Sequence, residues 1–154
     1  MCSPVFEERK TCQRPMVELA RELADAGLAV LRFDYAGCGD SDGAFKDHSL
    51  DDWEDNIADA GSLLRQLCGQ PIIGAFGIRS GASFASLAAT RGIIDGPLIL
   101  CNPVIKGAKY VREELRKKLM KEMITFGGSQ SSREALIKRL EANQTIDFDG
   151  YEFT

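Results

Sequence analysis

Histidine is almost missing from this sequence: His48 is the only one among 154 residues. Nucleophilic enzymes most often draw their general base from histidine, so the scarcity restricts which catalytic constellations the chain can build. Cysteine pairs are missing too. Cys2, Cys12, Cys38, Cys68 and Cys101 make an odd number with no C-x-x-C spacing, which argues against a disulfide framework or a zinc site. Buried free thiols in a reducing compartment are expected instead, and with them a cytoplasmic placement. An excess of positive charge is lacking, since 19 Lys and Arg stand against 23 Asp and Glu, net −4. Nucleic acid is therefore not expected as a partner. No apolar run approaches the roughly 20 residues of a membrane span. The first residues, MCSPVFEERK, hold no apolar signal-peptide core. No internal repeat is visible, and no motif calls for a cofactor.

The chain does have the ingredients of one ordinary domain. Its 44% hydrophobic and 27% charged residues suffice for a packed core at this length. In RPMVELARELADAG, Met16, Leu19, Ala20, Leu23 and Ala26 recur at helical spacing. Pro15 suits a first turn there and Gly27 a left-handed stop. LAVLRFDY follows as a nearly continuous apolar strand, the kind buried in a parallel sheet. GCGDSDG is a turn. Ser49 and Asp52 then make a capping-box start for a helix whose apolar stripe is Trp53, Ile57, Ala60, Leu64 and Leu67. PIIGAFG reads as a strand, SGASFASLAATRG as a small-residue helix, and GPLILCNP as a further strand. Strand and helix in alternation, with short links, predict an α/β class: a mostly parallel sheet with flanking helices over residues 1–105.

Residues 106–154 read differently. KYVREELRKKLMKEMI predicts a helix with a narrow stripe of Val111, Leu115, Leu119 and Met123. Its basic run, Arg116, Lys117, Lys118 and Lys121, is interleaved with Glu113, Glu114 and Glu122, as on a solvated face. GGSQSS predicts a flexible link, and Ser131 with Glu134 the opening of another helix. TIDFDGYEFT predicts a hairpin turning at Asp149-Gly150.

FGIRSGAS, Phe76 to Ser83, carries the chemistry of greatest interest. A nucleophile elbow is a sharp strand-to-helix turn that needs small residues two positions either side of its tip. Gly77 and Gly81 flank position 79 at that spacing, with a strand before and a helix after. The tip, however, is Arg79. A guanidinium stays protonated and does not attack a carbonyl. Ser80 is one step along, where a side chain points elsewhere, and centring the motif there puts bulky Ile78 at a flank. Within residues 80–154 there is no histidine to serve as base.

CSPVFEERK, LAVLRFDYAGCGDSDGAF, Trp53, FGIRSGA and CNPVIKGAKYVREELR together resemble α/β-hydrolase-fold proteins of the serine aminopeptidase-like group. More narrowly, they resemble the hydrolase-like proteins that accompany exosortase A systems in exopolysaccharide-making bacteria, a subgroup similar to this chain in its Gly-x-Arg-x-Gly elbow. The likeness covers nearly the whole chain. It implies that Phe6, Glu7 and Glu8 lie on the loop that carries an oxyanion-hole donor in active relatives. Ser80 then follows the nucleophile position, where relatives supply a second backbone N–H. The segment after Pro103 resembles a cap. The likeness also implies truncation at both ends of the core and a central strand reduced to MCSP. Three outcomes stay open for that gap: a fragment of a longer protein, direct pairing of the two neighbouring strands, or strands supplied by a second copy in a homo-oligomer.

Three functional readings follow. In the first, Arg79 at a helix N-terminus binds a carboxylate or phosphate of a small molecule, with Phe6, Glu7, Glu8 and Ser80 around it; its bland counterpart is that Arg79 merely pairs with Glu7 or Glu8. In the second, Ser80, Cys38 or Cys101 acts as nucleophile in an ester, thioester or peptide hydrolase with an unusual base. In the third, Asp34, Asp40, Asp42 and His48 hold a metal, against which glycine-rich turns commonly use such residues to satisfy their own backbone. The first is the reading adopted, with no metal and no cofactor.

Overall fold

In a computed structural model of the chain, residues 1–128, 131–148 and 150–154 are described. The expected link and hairpin turn fall partly on Ser129, Gln130 and Asp149, which lie outside the described residues. The chain forms two compact units, Met1–Val104 and Ile105–Thr154.

In the first unit, helix α1 (Glu7–Asp25) starts eight residues earlier than Pro15 suggests and carries that proline in its interior. An interior proline costs about 3 kcal/mol by local preference. Tertiary anchors at the helix start override it. Phe6 is buried, Glu7 and Glu8 occupy the first turn, and Arg9 grips Asp34 through Nε–Oδ1 at 3.2 Å and Nη2–Oδ2 at 2.7 Å. Glu7 and Glu8 therefore belong to a helix and not to the expected loop.

Helix α2 (Leu50–Cys68) begins at the capping box the sequence predicts: Asp52 N–H donates to the Ser49 hydroxyl while the Asp52 carboxylate accepts from the Ser49 N–H. The bonds that this carboxylate accepts from the Ser49 N–H at 2.7 Å and the Ser49 hydroxyl at 2.8 Å hold it below its ordinary pKa. Its apolar stripe is buried only at Trp53 and Ile57; Leu67 is exposed. Strand β1 (Ala75–Ile78), helix α3 (Ser80–Thr90) and strand β2 (Leu98–Cys101) follow. The two strands pair in parallel, Ala75 opposite Leu98 through Ile78 opposite Cys101, so α3 is the crossover. Beneath it lies an aromatic cluster. Trp53 packs on Phe45 and Phe84 at 5.0 and 5.3 Å between centroids, and Tyr35 meets Phe84 edge-on at 5.5 Å. Arg91 at the end of α3 holds the buried Glu54 carboxylate at 2.9 Å.

Leu28–Tyr35, expected as a strand, runs without bend or turn but joins no ladder. Cys2 makes only an isolated parallel bridge to Gly77. The two neighbours have not closed up to pair with each other, and an apolar cavity of about 650 Å³ lies between them. The parallel sheet thus has two paired strands instead of the three expected.

The second unit holds helices α4 (Gly107–Phe126) and α5 (Arg133–Glu141) and strands β3 (Ile146–Phe148) and β4 (Tyr151–Phe153). β3 and β4 form the expected antiparallel hairpin, with Gly150 at φ 97°. The start of α5 differs by one residue: Ser132, not Ser131, is the cap, accepting from Ala135 N–H at 3.2 Å. On α4 the buried residues are Tyr110, Glu114 and Leu115, so only part of the expected stripe is covered. Among the described residues, no helix is long and apolar enough to cross a membrane.

Candidate functional site

The strand-to-helix corner stands where the glycine spacing predicts it. Arg79 is its tip, with φ 54° and ψ −123°, between β1 and α3. A non-glycine residue with positive φ is strained, and such strain gathers at functional sites. Here three such residues converge: Phe6 (φ 58°) begins α1, Arg79 begins α3, and Asn102 (φ 48°) follows β2. Arg79 N–H donates to Cys101 O at 2.9 Å, and its Nη1 reaches Asn102 O at 3.4 Å.

Why the flanks must be glycine is visible in the packing. A Cβ at Gly81 would stand 2.3 Å from Cys2 O and 2.4 Å from Ser3 O. One at Gly77 would stand 2.6 Å from Ala82 Cα. Both contacts are with backbone, which has no rotamer to move aside. The backbone of Cys2 and Ser3, within MCSP, is thus pressed directly under the elbow.

The Arg79 guanidinium forms an ion pair with Glu8, Nε to Oε1 at 3.0 Å, the two side chains being 25% and 15% exposed. Of the two acidic candidates, Glu8 rather than Glu7 takes this role. In the first turn of α1, Glu8 lies toward the elbow. Ser80 is 3% exposed, and its hydroxyl accepts the Val5 N–H at 3.0 Å. Ser83 Oγ donates to Val104 O at 2.7 Å. His48 closes a 3-10 turn, Phe45–Asp47, and its Nε2 is buried without a hydrogen-bond partner among the described residues. It is therefore not bonded to Ser80. No capping side chain occupies the start of α3; the Ala82 and Ser83 N–H groups donate to Arg79 O at 3.1 and 3.3 Å, and the partial positive charge of the helix start lies at the corner.

The other candidates lie elsewhere. Asp34 is held by Arg9, as described, and also accepts the Asp40 N–H at 3.3 Å. Ser41 Oγ donates to Asp34 O at 2.9 Å. The glycine-rich loop thus uses its carboxylate for its own backbone and for α1. Among the described residues, no group of three or more His, Cys, Asp or Glu is placed to hold a metal. Cys38 is buried, and burial pushes its thiol up to about 12. Cys101 is exposed at the end of β2.

Two contributors escaped the sequence reading. Val5 supplies the N–H that holds Ser80, a long-range contact with no local signature. Asn102 did leave a signal: an Asn between a strand and a proline is among the few residues that tolerate positive φ.

The model of a protein family described as serine aminopeptidase, S33, matches residues 11–146. No curated protein and no solved structure gives a significant match.

Proposed function

Since the chain belongs to the serine aminopeptidase S33 family, of α/β-hydrolase type, we propose that residues 1–154 keep the family's elbow as a binding corner without its serine chemistry. One observation carries this reading: Arg79 occupies the tip, paired to Glu8, while the adjacent Ser80 hydroxyl is buried against Val5 N–H. A serine nucleophile needs a base within hydrogen-bond reach to take its proton. Ser80 instead has a backbone donor, and His48 does not reach it.

In this reading the corner takes a carboxylate or phosphate of a small molecule. Arg79 provides a fork of donors, and the first turn of α3 adds oriented N–H groups. Glu8 is the competitor: it holds the guanidinium in place and must yield to, or share it with, the incoming anion. Phe6, Glu7, Glu8 and Ser80 frame the corner. Within the family we place the chain nearest the hydrolase-like proteins that accompany exosortase A systems, on the strength of Gly77, Arg79 and Gly81.

The test is a fluorophosphonate probe with peptide mapping, alongside p-nitrophenyl ester turnover. The expected result is no labelling and no turnover above buffer. Labelling at Ser80 that disappears in Ser80→Ala overturns the reading. Calorimetry with inorganic phosphate and acetate tests the binding role, which Arg79→Ala is expected to abolish; equal affinity in that variant removes it.

A further inference from the structure

Helix α4 of the second unit changes character along its length. Its buried residues, Tyr110, Glu114 and Leu115, all fall in its first half. Toward its C-terminus the apolar side chains turn outward. Met120 and Met123 are exposed, and Ile124 and Phe126 are 82% and 80% exposed. Four large apolar side chains left in water so close together forgo the burial that normally stabilises a helix end.

Charge accompanies this patch. α4 holds six Lys and Arg against three Glu, a net of +3 in a chain whose net charge is −4. Part of the excess is neutralised within the helix: Lys117 pairs with Glu114 at 2.6 Å and Lys118 with Glu122 at 3.1 Å. Arg112 and Arg116 are exposed, and among the described residues neither forms an ion pair. Arg112, Arg116, Met120 and Ile124 recur every fourth residue and so share one exposed face. That face is basic first and apolar at its end.

The segregation selects the occupant. A groove that receives a helix takes anchors spread along it at i, i+3, i+4 and i+7. Here the exposed anchors, Met120 to Phe126, occupy only about 9 Å of axis at one end. That matches the roughly 5–10 Å to which an interfacial helix buries its apolar part. Arg116 stands about 6 Å before Met120 along the axis, level with lipid phosphates when the tip is among acyl chains, and its long side chain extends toward them. Gly127, at φ 71°, ends the helix, and its N–H closes on Met123 O at 3.0 Å, so one of the last carbonyls is already paired at the tip. A second copy offers the same positive face, and its pairing brings like charges to one contact.

We propose that the C-terminal end of α4 is a docking surface for an anionic membrane: Met120, Met123, Ile124 and Phe126 enter the acyl boundary, and Arg112 and Arg116 meet the negative headgroups. This is attachment by one helix end and not a span. It uses α4 alone and does not depend on the function proposed for the Arg79 corner.

The experiment is flotation of the 154-residue protein with vesicles of phosphatidylcholine and phosphatidylserine in equal parts, and with vesicles of phosphatidylcholine alone, in about 0.1 M salt. Saturable binding to the mixed vesicles is expected, with binding to phosphatidylcholine alone at least about tenfold weaker. Arg112→Gln together with Arg116→Gln should weaken binding about thirtyfold. Ile124→Ser together with Phe126→Ser should weaken it at least about tenfold. All four positions are exposed, so the circular dichroism and melting of these variants should match the parent. No binding to the mixed vesicles up to about 1 mM lipid overturns the proposal. Equal binding to phosphatidylcholine alone, or undiminished binding by the Ile124→Ser, Phe126→Ser variant, overturns it as well. Binding to poly-glutamate as tight as to the mixed vesicles assigns the face to an acidic protein and overturns the choice of lipid. Light scattering that shows a dimer, dispersed by Ile124→Ser with Phe126→Ser, assigns the face to a second copy and overturns it too.

Discussion

The two ends of β1 are built in opposite ways. At its C-terminal end, by Arg79, every approach is close. Glycines admit backbone within 2.3–2.7 Å of where a Cβ would be, Ser80 and Arg79 have defined partners, and strained residues are held by their surroundings. At the N-terminal end the strand faces an apolar space of about 650 Å³ with hydrogen-bonding groups along its walls. The same strand is over-determined at one end and under-determined at the other. Substitutions should therefore be felt very unequally along only a few residues.

The largest effect is expected at the tight end. Gly81→Ala should destabilise by more than about 3 kcal/mol or prevent folding, since the clash is with Cys2 and Ser3 backbone. Ile73→Ser, on the open side and 65% exposed, should shift stability by less than about 0.5 kcal/mol. Urea denaturation of both variants checks the contrast, and similar midpoints would erase it.

Next comes the ion pair. Arg79→Ala and Glu8→Ala each remove one side of a partly buried ion pair and should cost about 1–3 kcal/mol. The double variant should cost less than the sum, and strict additivity would mean that the pair contributes nothing. Arg79→Ser, which restores a hydroxyl at the elbow tip, should still leave ester turnover at background, because residues 80–154 hold no histidine to serve as its base.

A smaller effect of local origin lies away from both ends. Ser49→Ala removes the cap of α2 and should cost about 1 kcal/mol. The sign of its pH dependence follows from Asp52, whose folded pKa is lowered by its bonds to Ser49. That contribution is present above the unfolded value, near about pH 4, and is lost as pH falls through the lowered folded value. Wild type and Ser49→Ala should thus converge in stability on acidification, as thermal melts across that range will show.

The smallest change is chemical. Iodoacetamide at about pH 8 should label Cys101, which is exposed, and leave Cys38 untouched, since a thiol at about 12 carries almost no thiolate there. Fast labelling of Cys38 in the folded protein would show that the loop after Tyr35 opens.

The sequence by itself determined whatever depends on near neighbours. The capping box of α2, the helix following Ser80, the hairpin strands, and the elbow with Arg79 at its tip are all short-range patterns, set by periodicity, caps and the space a glycine leaves. Even the cation at the corner and the histidine shortage within residues 80–154 needed no coordinates. Only the tertiary structure decided which distant groups meet. It let α1 run through Pro15, because Phe6, Glu8 and Arg9 are anchored at its start. It selected Glu8 over Glu7 for Arg79, and set Val5 N–H against Ser80. It also left Leu28–Tyr35 out of any ladder. A strand's apolar run reports only that it is to be buried; pairing is a property of two chains of atoms, and the second is written elsewhere in the sequence.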